Sequence, residues 1–178
     1  RMRGAYRLYR YVTRADQVTD NELAALNERI GRLAMPPLAH CAHRWTGLIR
    51  GETWQAVEAL ANRCVAGICG IGNPEAFETM LRRHAKQVVW CEALPDHARP
   101  DRATLTALVH QASRDGAEAV VTTEKDWIKW QAVVAEEDLP LPIDRVAMGI
   151  HWLDGETAVD AALARVVAGD PAQHRAPT

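Results

Sequence analysis

Several absences in this 178-residue sequence narrow what it can do. No run approaches the ~18–20 consecutive apolar residues that span a bilayer, and no signal-peptide pattern is visible. The formal net charge is -2, so no basic excess points to nucleic acid as a partner. The four cysteines, Cys41, Cys64, Cys69 and Cys91, contain no CxxC pair and read as buried, reduced thiols of a cytosolic protein. A single Phe and three Tyr accompany six Trp. Without interleaved basic residues those Trp read as packing groups, not as a base-stacking platform. No Gly-Lys pair occurs, which excludes a phosphate-cradling loop ending in Gly-Lys-Ser or Gly-Lys-Thr. No His, Cys or acidic cluster has metal-ligand spacing: His40 and His43, three apart in an expected strand, face opposite sides, so no metal site is expected.

What is present is an ordinary globular composition, 48% hydrophobic and 25% charged, enough for one domain or one domain with a piece of another. The chain opens with Arg1, from which we expect that processing or truncation has removed its true start. Residues 6–13 read as a cationic strand. Thr19-Asp20-Asn21-Glu22 is a capping box, and Leu23, Leu26, Ile30 and Leu33 follow at helical spacing until Pro36-Pro37. A short strand is expected over 37–43, running into a connection around Thr46-Gly47. Trp54, Val57 and Leu60 suggest a short helix.

Strand and helix then alternate. Strands are expected over 64–69, 86–91, 118–123 and 143–150. The helices between them begin at Asn73-Pro74, where a side-chain cap precedes a first-turn Pro, at Asp101, and at Glu124; a last one carries Val159, Leu163, Val166 and Val167. Gly116 is the expected stop of the Asp101 helix. This order predicts an α/β fold with a mostly parallel sheet flanked by helices, because parallel neighbours need crossover connections. In such folds ligands gather where strands end and helices begin.

Three loops fall at that end, and each has two readings. Gly70-Ile71-Gly72-Asn73-Pro74-Glu75 resembles a nucleotide loop at first sight. The dinucleotide fingerprint, however, needs a third Gly where Glu75 stands, and a carboxylate there repels pyrophosphate. It is either a backbone-lined ligand contact or a bare strand-to-helix junction. Asp96-His97 is either an acid/base dyad, the carboxylate raising imidazole basicity, or a solvated loop pair. Thr122-Thr123-Glu124-Lys125-Asp126 is either a functional loop or a Thr helix cap followed by first-turn acids and a solvated Lys. Thr13-Arg14-Ala15-Asp16 weakly resembles the base-reading loop of P-loop proteins and is equally explained as a turn before a helix.

In this order and spacing the loops resemble the carboxy-terminal half of the tetraacyldisaccharide 4′-kinases, the lipid A kinases of Gram-negative envelope synthesis. The resemblance is carried by AGICGIGNPEAF (66–77), LPDH (94–97) and EAVVTTEKDWIK (118–129), with TRADQV (13–18) similar to the segment closing that family's amino-terminal domain. It implies transfer of the ATP γ-phosphate, with Mg2+, to the 4′-hydroxyl of a tetraacylated glucosamine disaccharide, the lipid A precursor, at the cytosolic face of the inner membrane. It also implies two α/β domains with the active site between them. The P-loop that binds ATP and Mg2+ would lie in an amino-terminal domain that this chain lacks, so the chain by itself is expected to be inactive as a kinase. On that basis residues 1–50 are expected to be a remnant of the amino-terminal domain and linker, 51–169 the carboxy-terminal α/β domain and 170–178 a tail. His97, with Asp96 beside it, is implied as the catalytic assistant. Gly70, Gly72, Asn73, Glu75, Thr122, Thr123, Glu124, Lys125 and Asp126 are candidates for the cleft and substrate contacts. Leu94 and Ala98 depart from the aromatic and His residues usual around the family's Pro-Asp-His. The alternative is a free-standing, non-catalytic α/β binding or scaffold module derived from that family.

Overall fold

Val120 and Val121, adjacent in sequence, belong to two different hydrophobic clusters, and that division organises the chain from Trp45 to Gly149. A computed structural model describes residues 11–33, 39–95, 99–133, 135 and 138–168. The chain forms two compact units, one spanning Trp45–Gly149 and one made of the residues before and after it.

In the Trp45–Gly149 unit, β4 (Cys64–Cys69) pairs in parallel with β5 (Gln87–Ala93) and with β6 (Ala119–Thr123), and β6 pairs in parallel with β7 (Ile143–Asp154). Registers include Gly67↔Cys91, Gly67↔Val121 and Thr122↔Arg145. The strand β2 (Ala39–Arg50) lies beside β7 and pairs antiparallel with β3 (Thr53–Gln55) on its other side. Contacts between β2 and β7 run in opposite senses, Thr46 with Ala147 and Arg50 with Asp144, so this pair is antiparallel as well. The unit's order is therefore β3-β2-β7-β6-β4-β5. This is the mostly parallel α/β sheet expected from the alternation of elements.

Both faces of the sheet are covered. Val65, Cys69, Ala119 and Val121 pack with Phe77 and Leu81 of α2 (Pro74–His84). Ala66, Ile68 and Val120 pack with Leu105 and Val109 of α3 (Arg102–Arg114) and Trp127 and Trp130 of α4 (Glu124–Trp130). A sheet buried on both faces calls for continuous apolar strands, and CVAGIC and AVVTT have that character. Asn73 Oδ1 accepts from Ala76 N at 3.1 Å and Asp101 Oδ1 from Thr104 N at 2.8 Å, capping α2 and α3 as expected. Gly116 adopts φ +88 just past α3, a conformation that other residues rarely take.

Two expectations are corrected here. Thr46-Gly47 is no connection: both residues lie inside the twelve-residue β2, held by the Thr46 hydroxyl donating to Ala147 O at 3.2 Å. Gly47 lies under a ring, not in a turn: a Cβ there would stand 2.4 Å from the Trp54 indole as placed. Trp54 itself belongs to β3, and only Val57–Leu60 form a 3-10 turn, so the short helix read from Trp54 onward is a strand followed by a turn.

The second unit contains β1 (Tyr11–Thr13), the beginning of β2, the end of β7, α1 (Asp20–Leu33) and α5 (Glu156–Val167). β1 runs parallel to β2 with Tyr11↔Ala39 and Thr13↔Cys41. The capping box closes as read: Thr19 N donates to Glu22 Oε2 at 2.9 Å and Glu22 N to Thr19 Oγ1 at 3.3 Å. His40 is committed to structure: Nδ1 lies 2.8 Å from Asp154 Oδ2 and Nε2 lies 3.0 Å from Asn27 Oδ1.

Candidate functional site at the carboxyl ends of β4 and β6

Chain direction divides the connections of the Trp45–Gly149 unit. From β4 the chain passes through α2 to β5 on one side, whereas from β6 it passes through α4 towards β7 on the other. The two connections leave in opposite directions from neighbouring strands, which opens a topological switch point outside the carboxyl ends of β4 and β6. The Gly70 loop follows β4, and Thr123, the last residue of β6, leads directly into Glu124–Asp126 at the start of α4.

These two loops meet through one carboxylate. Asp126 is 1% exposed, and its Oδ2 accepts the Gly70 amide at 2.9 Å and the Thr123 hydroxyl at 2.8 Å. Lys129 Nζ donates to Oδ1 at 3.1 Å. Thr123 is also the N-cap of α4, its Oγ1 accepting from Asp126 N at 3.1 Å. A buried carboxylate needs such partners, because a charge taken out of water is costly unless paired and hydrogen-bonded. The third loop joins the other two by its backbone. Leu94 N donates to Cys69 O at 2.8 Å, and a Cβ placed on Gly70 would stand 3.3 Å from Asp126 Oδ1 and 3.5 Å from Pro95 O. Glycine at position 70 lets three chain segments approach one another.

Around this closed centre the candidates divide by exposure. Gly72, Glu75, Glu124 and Lys125 are exposed, and Asn73 is half-buried with its side chain occupied as the α2 cap. Thr122 and Asp126 are sealed inside. Asp96 and His97 lie outside the described residues, one and two positions past Pro95. The α2 N-terminus already has the Asn73 cap and the Glu75 carboxylate in its first turn, so it offers no vacant anion cradle.

Three features were not named from sequence. Lys129 pairs with Asp126 because the two stand three apart on one helix, a spacing that could have flagged it. Behind the edge, Cys69 and Cys91 interact: a hydrogen bond from the Cys91 thiol holds Cys69 below the usual thiol range, and the same bond with burial pushes Cys91 up. Further along the sheet, Arg145 lies 5.8 Å from the centre of the Trp127 ring and donates to Ile49 O at 3.3 Å.

Comparison with known proteins now adds to the geometry. The family model described as tetraacyldisaccharide-1-P 4′-kinase matches residues 8–168. The chain belongs to the tetraacyldisaccharide 4′-kinase family. A tetraacyldisaccharide 4′-kinase of Anaeromyxobacter sp. (strain K) is 30% identical over 172 residues, covering 94% of this chain and 44% of that protein. One from Phenylobacterium zucineum is 37% identical over 92 residues, covering 52% and 26%. One from Chlamydia abortus is 31% identical over 117 residues, covering 66% and 31%. The chain thus spans less than half the length of the curated family members it matches. No solved structure matches it significantly.

Proposed function

We propose that this chain supplies the carboxy-terminal part of a lipid A 4′-kinase, contributing one wall of a composite active site. The observation that carries the reading is the convergence, at the β4/β6 switch point, of the loops through which the sequence resembles the family. In this reading the substrates are ATP and a tetraacyldisaccharide 1-phosphate, and the reaction moves the γ-phosphate to the 4′-hydroxyl. Phosphoryl transfer depends on positioning and charge stabilisation, with help for the attacking hydroxyl. His97, with Asp96 beside it in sequence, supplies that help by taking up the hydroxyl proton. The exposed Gly72, Glu75, Glu124 and Lys125 line the edge that meets the sugar, with Asn73 between the first two.

ATP and Mg2+ do not fit the described residues. No three His, Cys, Asp or Glu side chains converge among them, and the Asp126 oxygens are occupied by an amide, a hydroxyl and an ammonium. Both would be held by residues beyond those described, and the chain alone would be inactive. No helix among the described residues is long and apolar enough to cross a membrane. The proposed site of action is the cytosolic face of the inner membrane.

The test begins with the gene: an in-frame Gly-rich loop ending in Gly-Lys-Ser or Gly-Lys-Thr upstream of Arg1 is the expected finding. In that longer protein, His97→Ala should lower turnover by about 10²-fold or more, as loss of a general base does, and leave the melting temperature nearly unchanged. Equal losses in both would make His97 structural. A chain with no such loop upstream, which still binds the disaccharide, would instead be a non-catalytic binding module.

A further inference from the structure

We infer that Asp126 is a positioning residue: it fixes the edge of the proposed site, touching no substrate itself. The inference rests on the kinase reading above and assigns a role to the Thr-Thr-Glu-Lys-Asp loop within it. At 1% exposure the carboxylate is out of reach of any ligand. Its partners come from different elements: the Gly70 amide beyond β4, and the Thr123 hydroxyl and Lys129 ammonium from the cap and body of α4. Gly70 in turn lies against Pro95 O and Leu94 Cβ, at 3.5 and 3.7 Å from the position a Cβ would take, and Leu94 N is bonded to Cys69 O at 2.8 Å. A single buried anion therefore sets the spacing of the chain leaving β4, β5 and β6.

A helix cap alone would not require this arrangement. Capping is accomplished by Thr123 Oγ1 accepting from Asp126 N, and that bond uses no carboxylate oxygen. Besides the Thr123 hydroxyl, the carboxylate accepts the Gly70 amide across the switch point and the Lys129 ammonium, neither of which a cap requires. Hydrogen bonds to an ionised acceptor are stronger and more directional than neutral ones, which suits a part whose purpose is placement.

The experiment compares the 178-residue chain with Asp126→Asn and Asp126→Ala by amide hydrogen exchange, chemical shift and thermal melting. The same substitutions, made in the longer protein that carries the upstream domain, are titrated with tetraacyldisaccharide 1-phosphate. Asp126→Asn keeps the shape and removes the charge. It should speed exchange of the Gly70 amide about tenfold and shift Leu94 and Gly72 resonances, beyond what the accompanying fall in melting temperature explains. Disaccharide affinity should fall several-fold in parallel. The inference is overturned if Leu94 and Gly72 stay in place in Asp126→Asn, or if changes there only follow global stability in Asp126→Ala. A longer protein, upstream domain included, that binds no disaccharide counts against the kinase reading alone. The exchange and shift measurements still decide whether Asp126 sets the edge.

Discussion

The amide of Gly70 donates to Oδ2 of Asp126 at 2.9 Å, joining residues fifty-six positions apart. No side chain intervenes at position 70, where a Cβ would stand 3.3 Å from the other carboxylate oxygen and 3.5 Å from Pro95 O. Gly70→Ala should therefore destabilise the protein by about 1–3 kcal/mol, the usual cost of forcing a methyl into a packed site. Gly67→Ala should cost at least as much, because its Cβ would meet Leu81 Cδ2 at 2.7 Å and Cys91 Sγ at 2.8 Å. Urea midpoints of the two variants check both, and a neutral Gly70→Ala would mean that the junction has slack.

Asp144 is fully buried, and its carboxylate takes a two-pronged contact from Arg50, at 2.8 Å to each oxygen, with Arg63 Nη1 at 2.8 Å. Removing one member of a buried pair leaves uncompensated charge, a loss of about 3–5 kcal/mol when the remainder is sealed. Both guanidinium groups are partly exposed here and can rehydrate. Asp144→Ala should accordingly cost about 2–3 kcal/mol, below that range. Chemical denaturation measures it, and a value under about 1 kcal/mol would place the cluster with ordinary surface pairs.

His84 stacks on Trp45 with ring centres 5.7 Å apart, and burial, aided by the neighbouring Arg83 charge, holds its pKa below the usual imidazole value. A group whose folded pKa is depressed binds fewer protons folded than unfolded. Its contribution is present above the unfolded value near 6.5 and is lost as pH falls through the lower folded value. Stability should decline on acidification below about pH 6.5. Part of that slope should vanish in His84→Gln. Denaturation midpoints between pH 5 and 7.5 decide this, and identical slopes in the two proteins would remove His84 as the cause.

Two caps separate structural from integrating roles. Asn73→Ala should cost about 1 kcal/mol, the typical worth of an N-cap. Thr123→Ala should cost more, since its hydroxyl also donates to the buried Asp126 and leaves that oxygen short of a partner. Thermal melts of both variants test the order, and a Thr123→Ala no worse than Asn73→Ala would reduce Thr123 to a simple cap.

The local features were legible in the sequence because they depend on neighbours. Thr19 and Glu22 close a capping box, Asn73 and Asp101 cap their helices, and CVAGIC forms β4, since each needs only a few adjacent residues and the period of an apolar pattern. The loops of the candidate site could also be placed, because strand-to-helix junctions in a parallel sheet fall at one end. Tertiary structure alone decided what those loops do to one another. Local spacing pairs Asp126 with Thr123 and Lys129, but nothing local says that it, and not the exposed Glu124, reaches Gly70. Burial beside Gly70 separates them, and burial depends on the order in which β4, β5 and β6 enter the sheet. Gly47 marks the same boundary: it looked like a turn glycine, but the indole of Trp54 claims its space. That contact forms only when β3 folds back on β2.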